Sequence, residues 1–100
     1  MTEYLIATSV LEDIVRGALA GDARVQVHAP SPLTRTRAVE VGVQGEECHV
    51  TVQLNALLGE NLPVLAQEVR QKIGTSLVQM TGLTVTGVDV VFAGVFPSDN

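Results

Sequence analysis

The sequence predicts an α/β protein of the α+β type, with the order α-β-β-β-α-β and two helices packed on one face of a small mixed sheet. Three observations predict it: an apolar stripe at helical spacing near the N-terminus, two alternating runs joined by a glycine-containing turn, and a long helical stripe followed by a valine-rich alternating run. A length of 100 residues indicates one domain, 1–100, in which residues 95–100 are expected to form a flexible tail.

The first element is predicted to be an amphipathic helix. Ser9 and Glu12 have the spacing of a capping box. In this motif the serine side chain accepts a hydrogen bond from the glutamate backbone N–H, and the glutamate side chain accepts one from the serine backbone N–H. Glu12 and Arg16, four residues apart, are expected to pair on the exposed side, and Gly21 is expected to end the helix. The apolar stripe comprises Val10, Leu11, Ile14, Val15, Ala18 and Leu19.

Three strands are predicted next, at about residues 24–28, 37–44 and 48–57. The prolines at positions 30 and 32 predict a loop between the first two strands, because proline cannot continue a central strand. The turn at 45–47 predicts a hairpin with one apolar face, and Gly42 predicts a β-bulge in its first strand. The other face is expected to be polar, with His28, Glu40, His49, Thr51 and Gln53 among its residues.

A long helix and a final strand complete the prediction. Asn61 or Leu62 is the expected N-cap, and Gly82 is expected to end the helix at a positive φ. Glu68 and Lys72 are expected to pair on the exposed side. The helix, at roughly 28 Å, matches the roughly 33 Å of the third strand, so it can return the chain for a parallel fourth strand. The predicted apolar seam is Leu65, Val69, Ile73, Leu77 and Met80.

The final strand, at about residues 84–95, is expected to direct alternate side chains to the core and to solvent. Val88, Val90 and Phe92 fall on the core side, and Asp89 falls on the solvent side. Val91 is therefore expected to be exposed, which is unusual for valine. Together with Val95 it forms a candidate self-association edge, because an unpaired strand edge can pair with another chain.

Composition narrows the classes of function. Eleven acidic and six basic residues give a net charge of −5, which opposes binding to phosphate backbones and anionic lipids. Aromatic residues make up only 3%, so base-stacking platforms are not expected. There is no apolar run of about 20 residues and no signal-peptide pattern, which favours a cytoplasmic protein without direct membrane insertion.

No combination of residues predicts a catalytic, cofactor or metal site. Cys48 and His49 are neighbours on a strand, so their side chains point to opposite faces and cannot act as a nucleophile and its base. A metal cluster of His28 and His49 with Glu40 or Asp89 is an alternative to an ordinary polar sheet face. The candidate partner patch consists of Arg24, Arg35 and Arg37, against solvated arginines as the ordinary interpretation.

Several short motifs occur in a recognisable order. An alternating strand leads to an apolar-Gly-x-x-apolar-Pro segment, a long helix closes on Thr-Gly-Leu, and a valine-rich strand follows. Their residues are Val50, Val52, Leu54, Leu58, Gly59, Leu62, Pro63, Val69, Ile73, Leu77, Met80, Thr81, Gly82, Leu83, Val85, Val88, Val90 and Val95. In this order the segment resembles the alkaline shock protein (Gls general-stress) family. The resemblance implies a cytosolic protein of the bacterial envelope stress response, without known catalytic residues, and some relatives are held at the membrane through a partner.

Three classes of function follow from these observations. The first is a non-enzymatic scaffold or adaptor that works through a protein partner and self-association. The second is a nucleic-acid module similar to a KH domain, for which the residues at 59–62 are the nearest match to a Gly-x-x-Gly loop but end in leucine. The third is a small hydrolase, which would need a nucleophile, a base and an oxyanion donor in one pocket. The sequence favours the first class.

Overall fold

A computed structural model describes residues 5–29 and 37–98, and all structural statements below concern those residues. The observed element order is the predicted one, α-β-β-β-α-β. The elements are α1 Thr8–Ala20, β1 Val25–Val27, β2 Val39–Gln44, β3 Glu47–Leu57, α2 Leu62–Thr81 and β4 Thr84–Phe96.

β3 is the central strand of the sheet. β1 and β2 lie one after the other along one of its edges, both antiparallel to it, with Val25 beside Ala56 and Val39 beside Val52. β4 lies along the other edge and runs parallel to β3. The parallel final strand that the helix length predicted is therefore present, and the sheet is mixed.

The core lies between one face of this sheet and the two helices. β3 directs every second residue into it, and these side chains are almost completely buried because β3 has neighbours on both edges. Buried residues of β3 and α2 include Cys48, Val50, Val52, Leu54, Ala56, Leu65, Val69, Ile73 and Leu77. The predicted placement of both helices on one face is consistent with this core, to which α1 adds Leu11, Val15 and Leu19.

The capping prediction for α1 was wrong. The helix begins at Thr8, and its N-cap, Ala7, has no side chain that can accept a hydrogen bond. Ser9 therefore lies inside the first turn, and Glu12 instead accepts a hydrogen bond from Arg37 Nη2 at 2.8 Å rather than pairing with Arg16. Val10, assigned to the apolar stripe, is 47% exposed.

The ends of α2 follow the predicted chemistry more closely. Asn61 is the N-cap and its side-chain oxygen accepts a hydrogen bond from the Val64 N–H at 3.2 Å. Gly82 ends the helix at φ +75°, as predicted. Met80 was wrongly assigned to the seam: it is 69% exposed, and Thr81, four residues after Leu77, takes the buried position.

Two β-bulges lie in β4, and none lies at Gly42. The pairing of β2 with β3 is continuous through Gly42. In β4, by contrast, Thr86 and Ala93 are extra residues that have no partner in β3. The Thr86 hydroxyl donates to the Cys48 carbonyl at 3.1 Å, which occupies part of the first bulge. β4 continues to Phe96, so the predicted tail overlaps the last two residues of the strand.

Candidate interaction surface

β4 has one edge that pairs with no other described strand. Its inner edge is bonded to β3 along its whole length, whereas no strand described here pairs with its outer edge. Exposed edges are usually protected from other chains by charged residues or proline. β4 has thirteen residues and contains no lysine, arginine or proline, and Asp89 is its single charged residue. Its two bulges are the one protective device present.

The two valines predicted to form this edge both lie beside it, on opposite faces of the sheet. Val91 is 46% exposed and lies next to Gln53 on the face away from the helices. Val95 is 58% exposed and lies next to Ala56 on the helix-covered face. Simple alternation would put both on one face, and the extra residue at Ala93 moves Val95 to the other.

A groove runs along β4 on the side of the helices. It has a volume of about 580 Å³, and its lining includes Arg70, Gly74, Val78, Leu83, Val85 and Val88. Gly74 contributes no side chain, and an atom added at its Cβ position would meet nothing within 4 Å. The groove leaves Val78 about half exposed, and Val85, Val90 and Phe92 are only partly buried. The apolar row of β4 is therefore incompletely covered in a single copy.

On the opposite face, polar side chains of β3 pack over glycines of β4. The His49 ring lies directly on Gly87, where a Cβ atom would be 2.8 Å from the ring carbon Cε1. Nε2 of the same ring lies 2.8 Å from Asp89 Oδ2. The single charge of β4 therefore already has a partner within the chain.

The predicted alternative of a histidine metal cluster is not assembled. His28 and His49 lie on the same polar face, but His28 Nδ1 contacts Asn55 Oδ1 at 3.0 Å, whereas His49 contacts Asp89. His28 is level with Gln53, four positions along β3 from His49, a separation of about 13 Å. No group of three metal-ligating side chains occurs in the part of the chain that the structure describes.

The two described arginines of the predicted partner patch both form ion pairs within the fold. Arg24 contacts Asp22 and Glu68, and Arg37 contacts Glu12 at 2.8 Å. Arg35 lies outside the described residues. Arg24 and Arg37 pair with different acids, and no acid among the described residues is shared by the two guanidinium groups. The role of this patch in binding stays a prediction, and a partner would have to compete with these internal acids.

Asp22 is the centre of an ion-pair cluster that sequence reasoning missed. Its side chain is only 4% exposed, and it accepts hydrogen bonds from the Arg24 backbone N–H, from the Arg24 guanidinium and from Lys72 Nζ. The Arg24 guanidinium holds the pKa of Asp22 well below its usual range, although burial acts in the opposite direction. The predicted pair between Glu68 and Lys72 is therefore not formed. Glu68 binds Arg24 and Lys72 binds Asp22, both in the turn between α1 and β1.

The described residues show no nucleophile beside a base. Cys48 is 1% exposed in the core, and burial raises the pKa of its thiol, which disfavours the reactive thiolate. His49 lies on the opposite face of the sheet, as predicted. The segment compared with a KH loop lies between β3 and α2 rather than between two helices. No described helix combines the length and the apolar character needed to span a membrane.

Comparison with known proteins identifies one family. The family model of the alkaline shock proteins, described as having a cell envelope-related function, matches residues 2–97. Neither a search of curated proteins nor a search of solved structures gave a match. The match covers nearly the whole chain, including both helices and all four strands.

Proposed function

Because this chain belongs to the alkaline shock protein family, which has a cell envelope-related function, we propose that it is a scaffold or adaptor of the envelope stress response. It acts through protein–protein contacts, and one of its partners is a second copy of itself. The observation that carries this proposal is the unpaired outer edge of β4, flanked by the exposed Val91 and Val95.

The chemistry of the edge supports contact with another protein. An unpaired strand offers a row of backbone N–H and C=O groups that another strand can bond. Val91 and Val95 are about half exposed, and the groove beside β4 is largely apolar. Burying such side chains on association contributes about 25 cal/mol for each Å² removed from water, which opposes the entropy lost when two chains associate.

We propose a position on the cytoplasmic side of the membrane, reached through a partner protein. The family's relation to the cell envelope supports a position at this boundary. The net charge of −5 opposes direct binding to anionic lipids, and for the same reason it opposes binding to nucleic acid. A protein partner is therefore the favoured route to the membrane.

The proposal that the protein is not an enzyme is supported by its polar groups. Catalysis by a cysteine needs an accessible thiolate and a neighbouring base. Cys48 is buried, and burial raises the pKa of its thiol. Among the other polar side chains, Asp22 is occupied by Arg24 and Lys72, and His49 is occupied by Asp89.

Self-association is tested by measuring the mass of the particle in solution. Size-exclusion chromatography with light scattering is run on the wild type and on Val95→Lys over a hundredfold range of concentration. Lysine at this exposed position leaves the monomer folded but places a charge in the apolar row beside the edge. Val43→Lys is the matched control, because Val43 is 42% exposed on β2, at the opposite side of the sheet.

We expect the wild type and Val43→Lys to exceed the monomer mass as concentration rises, and Val95→Lys to stay at 10.6 kDa. A wild type that is monomeric throughout would contradict self-association. Equal dissociation of the two lysine variants would contradict the assignment of the contact to β4. Circular dichroism melts confirm that both variants are folded.

A further inference from the structure

We propose that two copies associate through antiparallel pairing of their β4 strands, around a two-fold axis that passes beside Val90. This inference rests on the proposed function, and it specifies the partner and the register at the same edge. The product is one continuous sheet, twice the four strands of a single copy, with the helices of both copies on one face. Such an arrangement is isologous and closes at the dimer.

The first support is the position of Val90 within β4. It is the central residue of the thirteen from Thr84 to Phe96, so pairing around it gives every residue of the strand an opposite residue. The two bulges are also placed almost evenly about it, with Thr86 before it and Ala93 after it. In this antiparallel pair, Thr86 of one copy lies opposite the partner's Gly94, one residue away from the partner's bulge at Ala93.

The second support is that opposite residues of the two β4 strands point to the same face of the sheet. In this register Val90 lies opposite the partner's Val90, Val88 opposite the partner's Phe92, and Val85 opposite the partner's Val95. All of these side chains lie on the helix-covered face, although a bulge separates Val85 and Val95 from the middle of the strand. The row becomes continuous across the two-fold axis, and it covers the half-exposed Val95.

The third support is that neighbouring registers fail. If one strand slides along the other by a single residue, its side chains face the wrong side of the sheet. If it slides by two residues, the two-fold axis moves to Asp89 or to Val91. A register centred on Asp89 places two carboxylates directly opposite each other, which is destabilising. A register centred on Val91 sets Gly87, on the polar face, against the partner's Val95, on the helix-covered face. With Val90 at the centre, Asp89 lies beside the partner's Val91 while its carboxylate remains bonded to His49.

The dimensions of the β4 edge allow a contact of the size that a dimer needs. Thirteen strand residues span about 43 Å, and the molecule is 19 Å across its shortest dimension. The product is roughly 800 Å² for each copy, so a contact in which side chains also fill the groove beside β4 can reach the area of a standard protein–protein interface.

Disulfide trapping tests the register directly. The chain contains one cysteine, Cys48, which is 1% exposed, so the wild type serves as the background. Opposite residues of an antiparallel pair have Cα atoms about 4.5 to 5.5 Å apart, within the range that a disulfide can bridge. Under mild oxidation, Val90→Cys should therefore give a covalent dimer in high yield, and the wild type should not.

A mixture of Asp89→Cys and Val91→Cys distinguishes this register from its neighbours. Position 89 lies opposite position 91 of the other copy, so the mixed disulfide should form at least tenfold faster than either homodimer. Two copies of Asp89→Cys place their Cα atoms about 8 Å apart, beyond the range of a disulfide. Thermal melts confirm that each variant is folded.

The outcomes separate this inference from the proposed function. A chain that self-associates in light scattering, yet forms no excess of the mixed disulfide, retains the scaffold role and refutes this register. Faster formation of the Asp89→Cys homodimer also refutes it and moves the axis to Asp89. A chain that remains monomeric refutes this inference and the self-association part of the proposed function, whereas binding of β4 to a strand of a different protein would then retain only the adaptor role.

Discussion

Asp22 and Arg24 form a two-point ion pair across a single intervening residue. Arg24 Nε donates to Asp22 Oδ1 at 2.9 Å, and Arg24 Nη2 donates to Asp22 Oδ2 at 2.8 Å. Lys72 of α2 reaches the same carboxylate at 2.8 Å, and Glu68 of α2 accepts from Arg24 Nη1. The pair therefore joins the turn after α1 to the middle of α2, and it aligns the two helices that cover the sheet.

Removing the carboxylate should destabilise the fold. Asp22→Ala removes the buried acceptor that Arg24 and Lys72 share, but both cations remain at least one-third exposed to water, so we expect a loss of about 1 to 2 kcal/mol in the free energy of unfolding. Chemical denaturation measures this loss. Asp13→Ala is the matched control, because Asp13 is exposed on α1 and its removal should cost less than about 0.5 kcal/mol. Equal losses for the two variants would contradict the role of the cluster.

The Asp22 cluster should also make stability depend on pH in the acid range. An aspartate in the unfolded chain has a pKa of about 3.9, and Arg24 holds the folded pKa of Asp22 below that. Between these two values the unfolded chain binds more protons, so stability increases with pH. The contribution of Asp22 is complete above about pH 5 and declines as the pH falls below about 4.

Thermal melts of the wild type and Asp22→Ala between neutral pH and about pH 2 test this dependence. The difference in melting temperature should be constant near neutrality and should narrow in acid, because the unfolded wild type then binds a proton at Asp22 that the folded protein does not bind. A difference that stays constant throughout, or widens in acid, would show that the folded pKa of Asp22 is not depressed.

The orientation of α2 can be tested with one charge placed on each side of the helix. Val69 is completely buried against the sheet, so Val69→Asp buries an unpaired carboxylate and should cost at least about 3 kcal/mol. Gln67→Asp introduces the same carboxylate on the exposed side and should cost less than about 0.5 kcal/mol. Similar urea midpoints for the two variants would show that the buried face of α2 is wrongly assigned.

The two glycines of the α2 region should respond to alanine in opposite directions. Gly74 lies inside the helix and has nothing within 4 Å of an added Cβ, so Gly74→Ala should stabilise by up to about 1 kcal/mol. Gly82 has φ +75°, where a Cβ is strained, so Gly82→Ala should destabilise by about 1 kcal/mol or more. Urea unfolding measures both effects, and a loss of stability in Gly74→Ala would reveal a contact that the structure does not contain.

Most of the fold was predictable because its signals are local. The alternation in β3, the seam of α2 and the glycine at position 82 each follow from the spacing of a few neighbouring residues. The match between the lengths of α2 and β3 then indicated the parallel strand. The resemblance of the motifs to the alkaline shock protein family was confirmed by the family match over residues 2–97.

The errors arose where a distant residue decides the outcome. Glu68 and Lys72 have the spacing of a helical ion pair, but Arg24 and Asp22 lie close to them and offer more buried partners. Ser9 and Glu12 have the sequence of a capping box, but the N-cap of α1 is Ala7, two residues earlier, and Glu12 instead binds Arg37. Gly42 resembled a bulge, whereas the register of β4 against β3 placed the bulges at Thr86 and Ala93. None of these relationships is visible in a short segment.

The central claim, that the outer edge of β4 is a contact between copies, is tested most directly by amide hydrogen exchange at low and high protein concentration. In a monomer the outward N–H groups of Thr84–Phe96 contact water, whereas in the dimer they are bonded to the second copy. We predict that protection of β4 increases at least tenfold with concentration, and that protection of β2 Val39–Gln44 does not change. Exchange in β4 that is equally fast at both concentrations, while the protein is shown to associate, would contradict the claim.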